Sequence, residues 1–418
     1  MITRAEADAV GAALARAESL AKGREHRAVV DEFDLGFTVK TVSVRRLFSP
    51  SEVGAGVLVI DRATGRTSTW PNWPADTLHK IYREKRGDIA DPPRASDPEV
   101  QLRREIRRSV APSVAAHATV EGRVYVARGA KGDQKLSHHR LVLERLAEQT
   151  PQETVRGCER HAELIACSDA LFDVDRRRAL NGLPPLTLDE ARQLLAASEF
   201  ETFQIHAPGD PAAGKPSDPC ETCTYVLTQL ALMPWGKTGG LYPSVAPDLP
   251  NPDPARFSDI LGAELVHAGW TTELSYEDNR LMAELVAEDV VAVRGREFRH
   301  EMFPAVAQAY GHTGSLGIHR RAPGLEQRSR FFEIFPIHAA YTADLLHEFG
   351  EVIGARLFPL GRVNSESVLA IDEHGRVFDL DQAGEWFVAD SYLEALETLT
   401  LGKRTYRVRD DGTWAGGE

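Results

Sequence analysis

Apolar positions in this chain switch between a period of two and a period near four, and the switches mark its elements. Residues 1–23 set alanine and leucine at helical spacing and predict a helix. Residues 28–33 and 36–44 predict strands, and Gly56-Val57-Leu58-Val59-Ile60-Asp61 predicts a third. The turn Arg62-Ala63-Thr64-Gly65 sends the chain back through a strand reaching Trp70, and a helix is expected near 76–86. Together these make a small α+β module over 1–95, with no nucleophile, metal cluster or phosphate loop in it.

A Pro-, Asp- and Arg-rich linker covers 88–97, and a charged helix is expected over 99–110. A strand over 120–128 and a helix over 136–148, opening with His138 and His139, come next. Helices follow at 160–179 and 188–197, the second begun by Thr187, then a strand at 201–207. A Gly/Pro-rich loop leads to a buried amphipathic helix carrying Tyr225, Val226, Leu227, Leu230, Ala231 and Leu232. Strand–helix–strand–helix order suggests a three-layer α/β/α sandwich with helices on both faces, over 100–243.

A second proline-rich linker, 243–254, separates a third module over 254–405. Ser258 caps its first helix, which carries Glu264 and closes at Ala268-Gly269-Trp270. A helix over 278–290, a strand over 297–304 leading into a helix at 305–310, and a helix over 340–349 are expected. Short strands follow at 358–360, 367–371, 377–379 and 386–388, with Asp372-Glu373-His374-Gly375 as a hairpin turn, and a helix over 391–398. The fold class is thus α/β multidomain, a central layered domain flanked by two α+β modules.

Composition narrows the function. A chain of 418 residues, 42% hydrophobic and 27% charged, is that of ordinary globular domains, two or three in number. A net charge of −13 argues against a large phosphate-tracking surface, so long duplex is not an expected partner. Bases, nucleosides, nucleotides or a short single strand remain. Arg103, Arg104, Arg107 and Arg108 crowd the helix at 99–110; a solvated face is the favoured reading and phosphate binding the rival. Four cysteines provide no disulfide framework and point to a reducing, cytoplasmic setting. The first helix has no signal-peptide core, and no segment approaches membrane-spanning length.

The chemistry lies in His161-Ala162-Glu163 and Pro219-Cys220-Glu221-Thr222-Cys223. Zinc takes nitrogen and thiolate ligands in a tetrahedron, and a catalytic site leaves one corner open. His161, Cys220 and Cys223 supply three corners. Cys220 and Cys223 are expected on one face of a helix whose first position is Pro219 and whose positive end favours thiolates. His161 and Glu163 are about 200° apart in mid-helix, so they converge only in a first turn. Two thiolates cancel the ion's charge, so a base must help deprotonate the attacking water, and Glu163 is that proton shuttle, not a ligand. Cys158-x-x-His161 also has ligand spacing. Cys158 is therefore a rival ligand, read here as flanking the site; with Ala162 and Pro219 it is placed beside the substrate.

His-x-Glu followed by Pro-Cys-x-x-Cys is the signature of zinc nucleobase deaminases. The stretch from about 113 to 241 resembles the YwqJ-like branch of the cytidine-deaminase-like superfamily. Its marks are Arg156-Gly157-Cys158 leading into His161-Ala162-Glu163, the Asp189-Glu190-Ala191-Arg192 helix, and Gly214-Lys215-Pro216 before Pro219-Cys220-Glu221-Thr222-Cys223. The resemblance implies hydrolytic deamination of a base, nucleoside, nucleotide or single-stranded nucleic acid, in a toxin setting. Residues 254–402 resemble the third subgroup of the SUKH superfamily of immunity domains. The carriers are Arg256-Phe257-Ser258, Ala268-Gly269-Trp270, Phe358-Pro359-Leu360-Gly361, Ile371-Asp372 with Gly375-Arg376-Val377, and Asp390-Ser391 with Glu394-Ala395-Leu396. That resemblance implies a non-catalytic module that binds a toxin-like protein partner. Val57 to Arg66 echoes Val368 to Arg376, which makes the N-terminal module a candidate second immunity-like module. The rival to the enzyme is a non-catalytic immunity protein that neutralises a toxin with a deaminase-like scaffold; Glu163, of no use to a binder, favours the enzyme.

Overall fold

The computed structural model describes residues 2–22, 25–43, 57–65, 67–70, 74–86, 112–132, 136–206, 210–235, 243–273, 275–293, 295, 298–364 and 367–415. The charged helix expected at 99–110, with its four arginines, lies outside them. The chain packs as two compact units. The first is Met1–Glu148, Gly157–His206 and Pro211–Thr238; the second is Gln149–Arg156, Ala207–Asp210 and Gly239–Glu418.

The first unit opens with α1 (Arg4–Lys22), β1 (His26–Phe33), β2 (Gly36–Ser43), β3 (Val57–Asp61), β4 (Thr67–Trp70) and α2 (Ala75–Lys85). The strands pair antiparallel in the order β1-β2-β3-β4. Alternation on β3 serves two cores, because successive side chains of a strand face opposite ways. Ile60 joins Ala7, Val10 and Leu14 of α1, while Val57 and Val59 join Leu78 and Tyr82 of α2.

The rest of that unit holds β5 (Ser113–Val120), β6 (Arg123–Arg128), α3 (Arg140–Leu146), α4 (Ala162–Leu180), α5 (Leu188–Ala196), β7 (Glu199–Ile205) and α6 (Glu221–Gln229). The sheet is antiparallel with order β6-β5-β7. The single strand expected at 120–128 is instead a hairpin. Glu121 (φ 50°) and Gly122 (φ 74°) both turn left-handed, the geometry of a two-residue hairpin turn. Helix α4 packs on β5 and β6. It buries Leu164, Cys167, Leu171 and Val174, a stripe at helical spacing.

The second unit holds α7 (Asp259–His267), α8 (Tyr276–Ala292), α9 (Pro304–Thr313), β8 (Leu316–Ile318), β9 (Phe332–Ile334), a 3-10 turn at Pro336–Thr342 and α10 (Ala343–Ile353). Strands β10 (Leu357–Val363), β11 (Val368–Asp372), β12 (Val377–Asp381) and β13 (Gly384–Ala389), then α11 (Tyr392–Leu401) and β14 (Tyr406–Arg407), complete it. They form one seven-stranded antiparallel sheet, order β14-β13-β12-β11-β10-β9-β8. Leu369 and Ile371 enter one core while Val368 and Ala370 enter another, so both faces of β11 are covered. The strand expected at 297–304 is absent from residues 298–303. Pro304 instead opens α9, where its missing N–H costs nothing. Ser258 and Ser391 cap α7 and α11 by accepting from Leu261 N and Glu394 N.

Candidate metal centre

Two segments of the first unit deliver the candidate residues. Gly157 is left-handed (φ 65°), a conformation glycine adopts without a Cβ clash, and it opens a 3-10 turn at Cys158–Arg160. Arg160 pins that turn: its guanidinium donates to the carbonyls of Ala130 and Gly132 at 3.2 and 2.9 Å. Nothing in its spacing marked it beforehand. His161 is then the N-cap of α4, with extended φ/ψ of −75° and 141°. Glu163 falls in the first turn and is wholly buried. Histidine and carboxylate thus lie at a helix start, the arrangement that their i, i+2 spacing demands.

On the other side, the loop before α6 folds back on β7. Gln204 N donates to Lys215 O and Ser217 N to Thr202 O, both at 2.9 Å. Pro219 is not the first helical residue, as its missing N–H suggested. Cys220 takes the N-cap, and its sulfur accepts from Cys223 N at 3.5 Å, so helix begins at Glu221. The cysteines therefore sit at N-cap and third helical position, still turned to one side, at the helix's positive end. Thr224 Oγ1 donates to Pro219 O at 3.1 Å and fixes the approach.

The donor atoms of His161, Cys220 and Cys223 all lie within 4.8 Å of one another, the converging group of this kind among the described residues. Cys223 Sγ is 3.5 Å from His161 Nδ1. Burial opposes ionisation of Cys220, but a hydrogen bond from Cys223 and the charge of His161 outweigh it, and the thiol is held well below its ordinary value. Burial, then the hydrogen bond and charge of Cys220, push Cys223 well above its own, with Glu163 and Cys158 adding to the effect. Nitrogen and two sulfurs converging in a buried pocket fit a zinc-type ion.

Cys158 is buried, and burial followed by the charge of Cys220 raises its thiol well above the usual value; its sulfur lies outside the converging group. Ala162, wholly buried, begins α4 between the histidine and Glu163. His138 and His139, which the sequence places at the opening of the helix over 136–148, are buried. His138 Nδ1 lies 2.8 Å from Ser168 Oγ, and His139 Nε2 lies 2.9 Å from Asp175 Oδ2. Both serve packing.

Among the described residues, no helix is long and apolar enough to cross a membrane. Comparison with curated proteins and with solved structures found no match. Family models do match, in three successive stretches. Residues 11–88 match the Immunity protein 35-like domain, in keeping with the immunity-like echo at its Ile60-Asp61 turn. That echo has a physical basis. Asp61 Oδ1 accepts from Ala63 N and Thr64 N at 3.0 Å, as Asp372 Oδ1 accepts from His374 N and Arg376 N at 3.0 and 2.9 Å. Residues 99–232 match the YwqJ-like deaminase and 257–402 the SUKH-3 immunity protein, so the chain carries, in order, stretches similar to an Immunity protein 35-like domain, a YwqJ-like deaminase and a SUKH-3 immunity protein.

Proposed function

We propose that the chain is a zinc-dependent hydrolytic deaminase acting on a nucleobase, nucleoside, nucleotide or single-stranded nucleic acid, in a toxin–immunity setting. One observation carries this: the buried His161, Cys220 and Cys223 turn their donor atoms to within 4.8 Å of one another, with the buried Glu163 in the first turn of the helix that His161 caps. A site built only to bind a protein has no use for a buried carboxylate next to two thiols, where its charge is costly.

His161, Cys220 and Cys223 would hold the ion. Zinc bound there supplies Lewis-acid activation of water. As the water oxygen bonds to the amine-bearing ring carbon, Glu163 accepts one water proton and delivers it to the ring nitrogen; it then takes the remaining hydroxyl proton and passes it to the departing amine. The carbon–nitrogen bond to the exocyclic amine breaks, a carbonyl forms, and ammonia leaves. The hydrogen bonds of Arg160 hold the loop before His161 against the segment after β6, which keeps the histidine aimed inward. Cys158, Ala162 and Pro219, next to these residues in sequence, would lie beside the substrate. The neighbouring immunity-type segments support a role in conflict between cells, with a toxin-like protein as partner and the cytoplasm as the place of action.

Ammonia release from free bases, nucleosides, nucleotides and single strands tests this. Release from one class above the rate without protein is expected. A folded, zinc-loaded chain that releases ammonia from none of them overturns the reading in favour of a non-catalytic binder.

A further inference from the structure

The second unit contains a closed box around one arginine that comes from far away in sequence. Arg156 lies on the short segment Gln149–Arg156, which packs as part of that unit. Its side chain is 5% exposed. One guanidinium nitrogen is hydrogen-bonded to Asp379 and lies 3.2 Å from Asp381 Oδ2. The guanidinium lies over the Trp386 ring, 4.4 Å from its centroid. Trp386 Nε1 donates to Asp381 Oδ1 at 3.2 Å, and Arg330 reaches Asp379 Oδ2 at 2.9 Å.

Strand pairing builds the box. Asp379 and Asp381 alternate onto one face of β12, and Asp379 stands opposite Trp386 on β13. Backbone bonds hold the segment in place: Arg328 N donates to Thr154 O and Gly324 N to Gln152 O, both at 3.0 Å. Main-chain bonds plus one anchored side chain are the means by which folded modules hold peptides. An aromatic face beside the carboxylates suits a planar guanidinium in particular, because its flat, weakly hydrated cation stacks on the ring while one of its nitrogens reaches both aspartates.

The two halves of this contact fall in different matches. Asp379, Asp381, Trp386 and Arg330 lie in the stretch matching the SUKH-3 immunity protein; Arg156 lies in the stretch matching the YwqJ-like deaminase. We propose that the C-terminal module carries an arginine-recognition site for the Thr-Val-Arg-Gly segment of deaminase-type domains. In this chain Arg156 fills it in cis, and the same segment of another deaminase domain fills it in trans when the cis arginine is absent. The toxin–immunity reading supplies only the partner's identity. The box itself does not depend on the metal centre, so failure of deamination leaves it standing.

The test uses the full chain and a fluorescein-labelled peptide of residues 149–157, with a second peptide carrying alanine in place of its arginine. Fluorescence anisotropy is expected to show the arginine peptide binding the Arg156→Ala chain at least about tenfold more tightly than the alanine peptide does. Binding to the wild-type chain is expected to be weaker by about tenfold or more, because the tethered segment competes. Adding Asp379→Asn to Arg156→Ala is expected to abolish the preference. If Arg156→Ala does not fold, Arg156→Lys carries the same comparison. Equal binding of the two peptides to whichever variant folds overturns the proposal. So does failure of both variants to fold with no recovery when the arginine peptide is present during refolding, since the arginine is then an internal strut.

Discussion

Replacing Cys223 by serine changes one atom at the centre of the candidate site. Cys223 is wholly buried and its sulfur is 3.5 Å from His161 Nδ1, so the substitution leaves packing nearly intact while exchanging a soft, ionisable donor for a hydroxyl. Apparent zinc-binding free energies of about 10–16 kcal/mol over four protein ligands amount to about 2.5–4 kcal/mol per ligand. Loss of one ligand should therefore weaken affinity by about two to three decades. At free zinc about 100 times the wild-type Kd, bound metal stabilises the fold by about 2.7 kcal/mol, and the variant should lose more than about 2 of that. For a unit of this size the melting temperature should fall by about 5–10 °C at that zinc concentration. With a chelator in excess, the two proteins should melt close together. Zinc titration followed by differential scanning fluorimetry, with elemental analysis after gel filtration, measures both effects. A Cys223→Ser chain that keeps one zinc with unchanged affinity refutes the ligand assignment.

The other expectations concern neighbouring groups. Cys158→Ser should keep its zinc, and its loss in elemental analysis would make Cys158 a ligand. Asp61→Ala should destabilise the N-terminal module by about 1–3 kcal/mol, because it strips the buried Tyr82 hydroxyl and the turn N–H groups of Ala63 and Thr64 of their acceptor. Hydrogen exchange over residues 1–86 reads that loss, and unchanged protection contradicts it. His300, buried and bonded to Ala340 O at 3.1 Å, has its pKa lowered by burial from 6.5 to about 4. Its folded value lies below its unfolded one, so its contribution is complete above pH 6.5 and drains away as pH falls towards 4. Urea midpoints of the wild type should drop more steeply over that window than those of His300→Gln, by up to about 3 kcal/mol in total. Parallel slopes would show that His300 is not the group responsible.

Much of this fold and site was legible in the residues. The strands around Ile60-Asp61 and Ile371-Asp372 announce themselves because runs of branched residues end at an aspartate that closes its own turn. The two metal motifs were legible because a histidine and carboxylate at i and i+2 can share a site only in a first turn, and α4 does start there. Other features left weaker marks. Strand β5 is largely alanine between Val114 and Ala118, low in β propensity, and its hairpin turn is Glu-Gly rather than Asn-Gly. The sulfur cap by Cys220 displaced Pro219 from the position its chemistry favours. Strands β8, β9 and β14 have two or three residues each, too few to show a period. Residues 149–156 are polar and aperiodic, and nothing in them points to Asp379, which lies 223 positions from Arg156. That partnership is set by how the second unit packs, not by local pattern.

The central claim is that Glu163 moves protons without holding metal. Glutamine keeps its size and burial but cannot accept the proton. The direct measurement pairs zinc stoichiometry with ammonia release, on one preparation each of wild type and Glu163→Gln, using whichever base-containing substrate the wild type turns over. One zinc in both proteins, with ammonia release in Glu163→Gln reduced by about a hundredfold or more, is the expected result. Zinc lost from Glu163→Gln would make the glutamate part of the metal's coordination, and undiminished ammonia release would remove it from the chemistry.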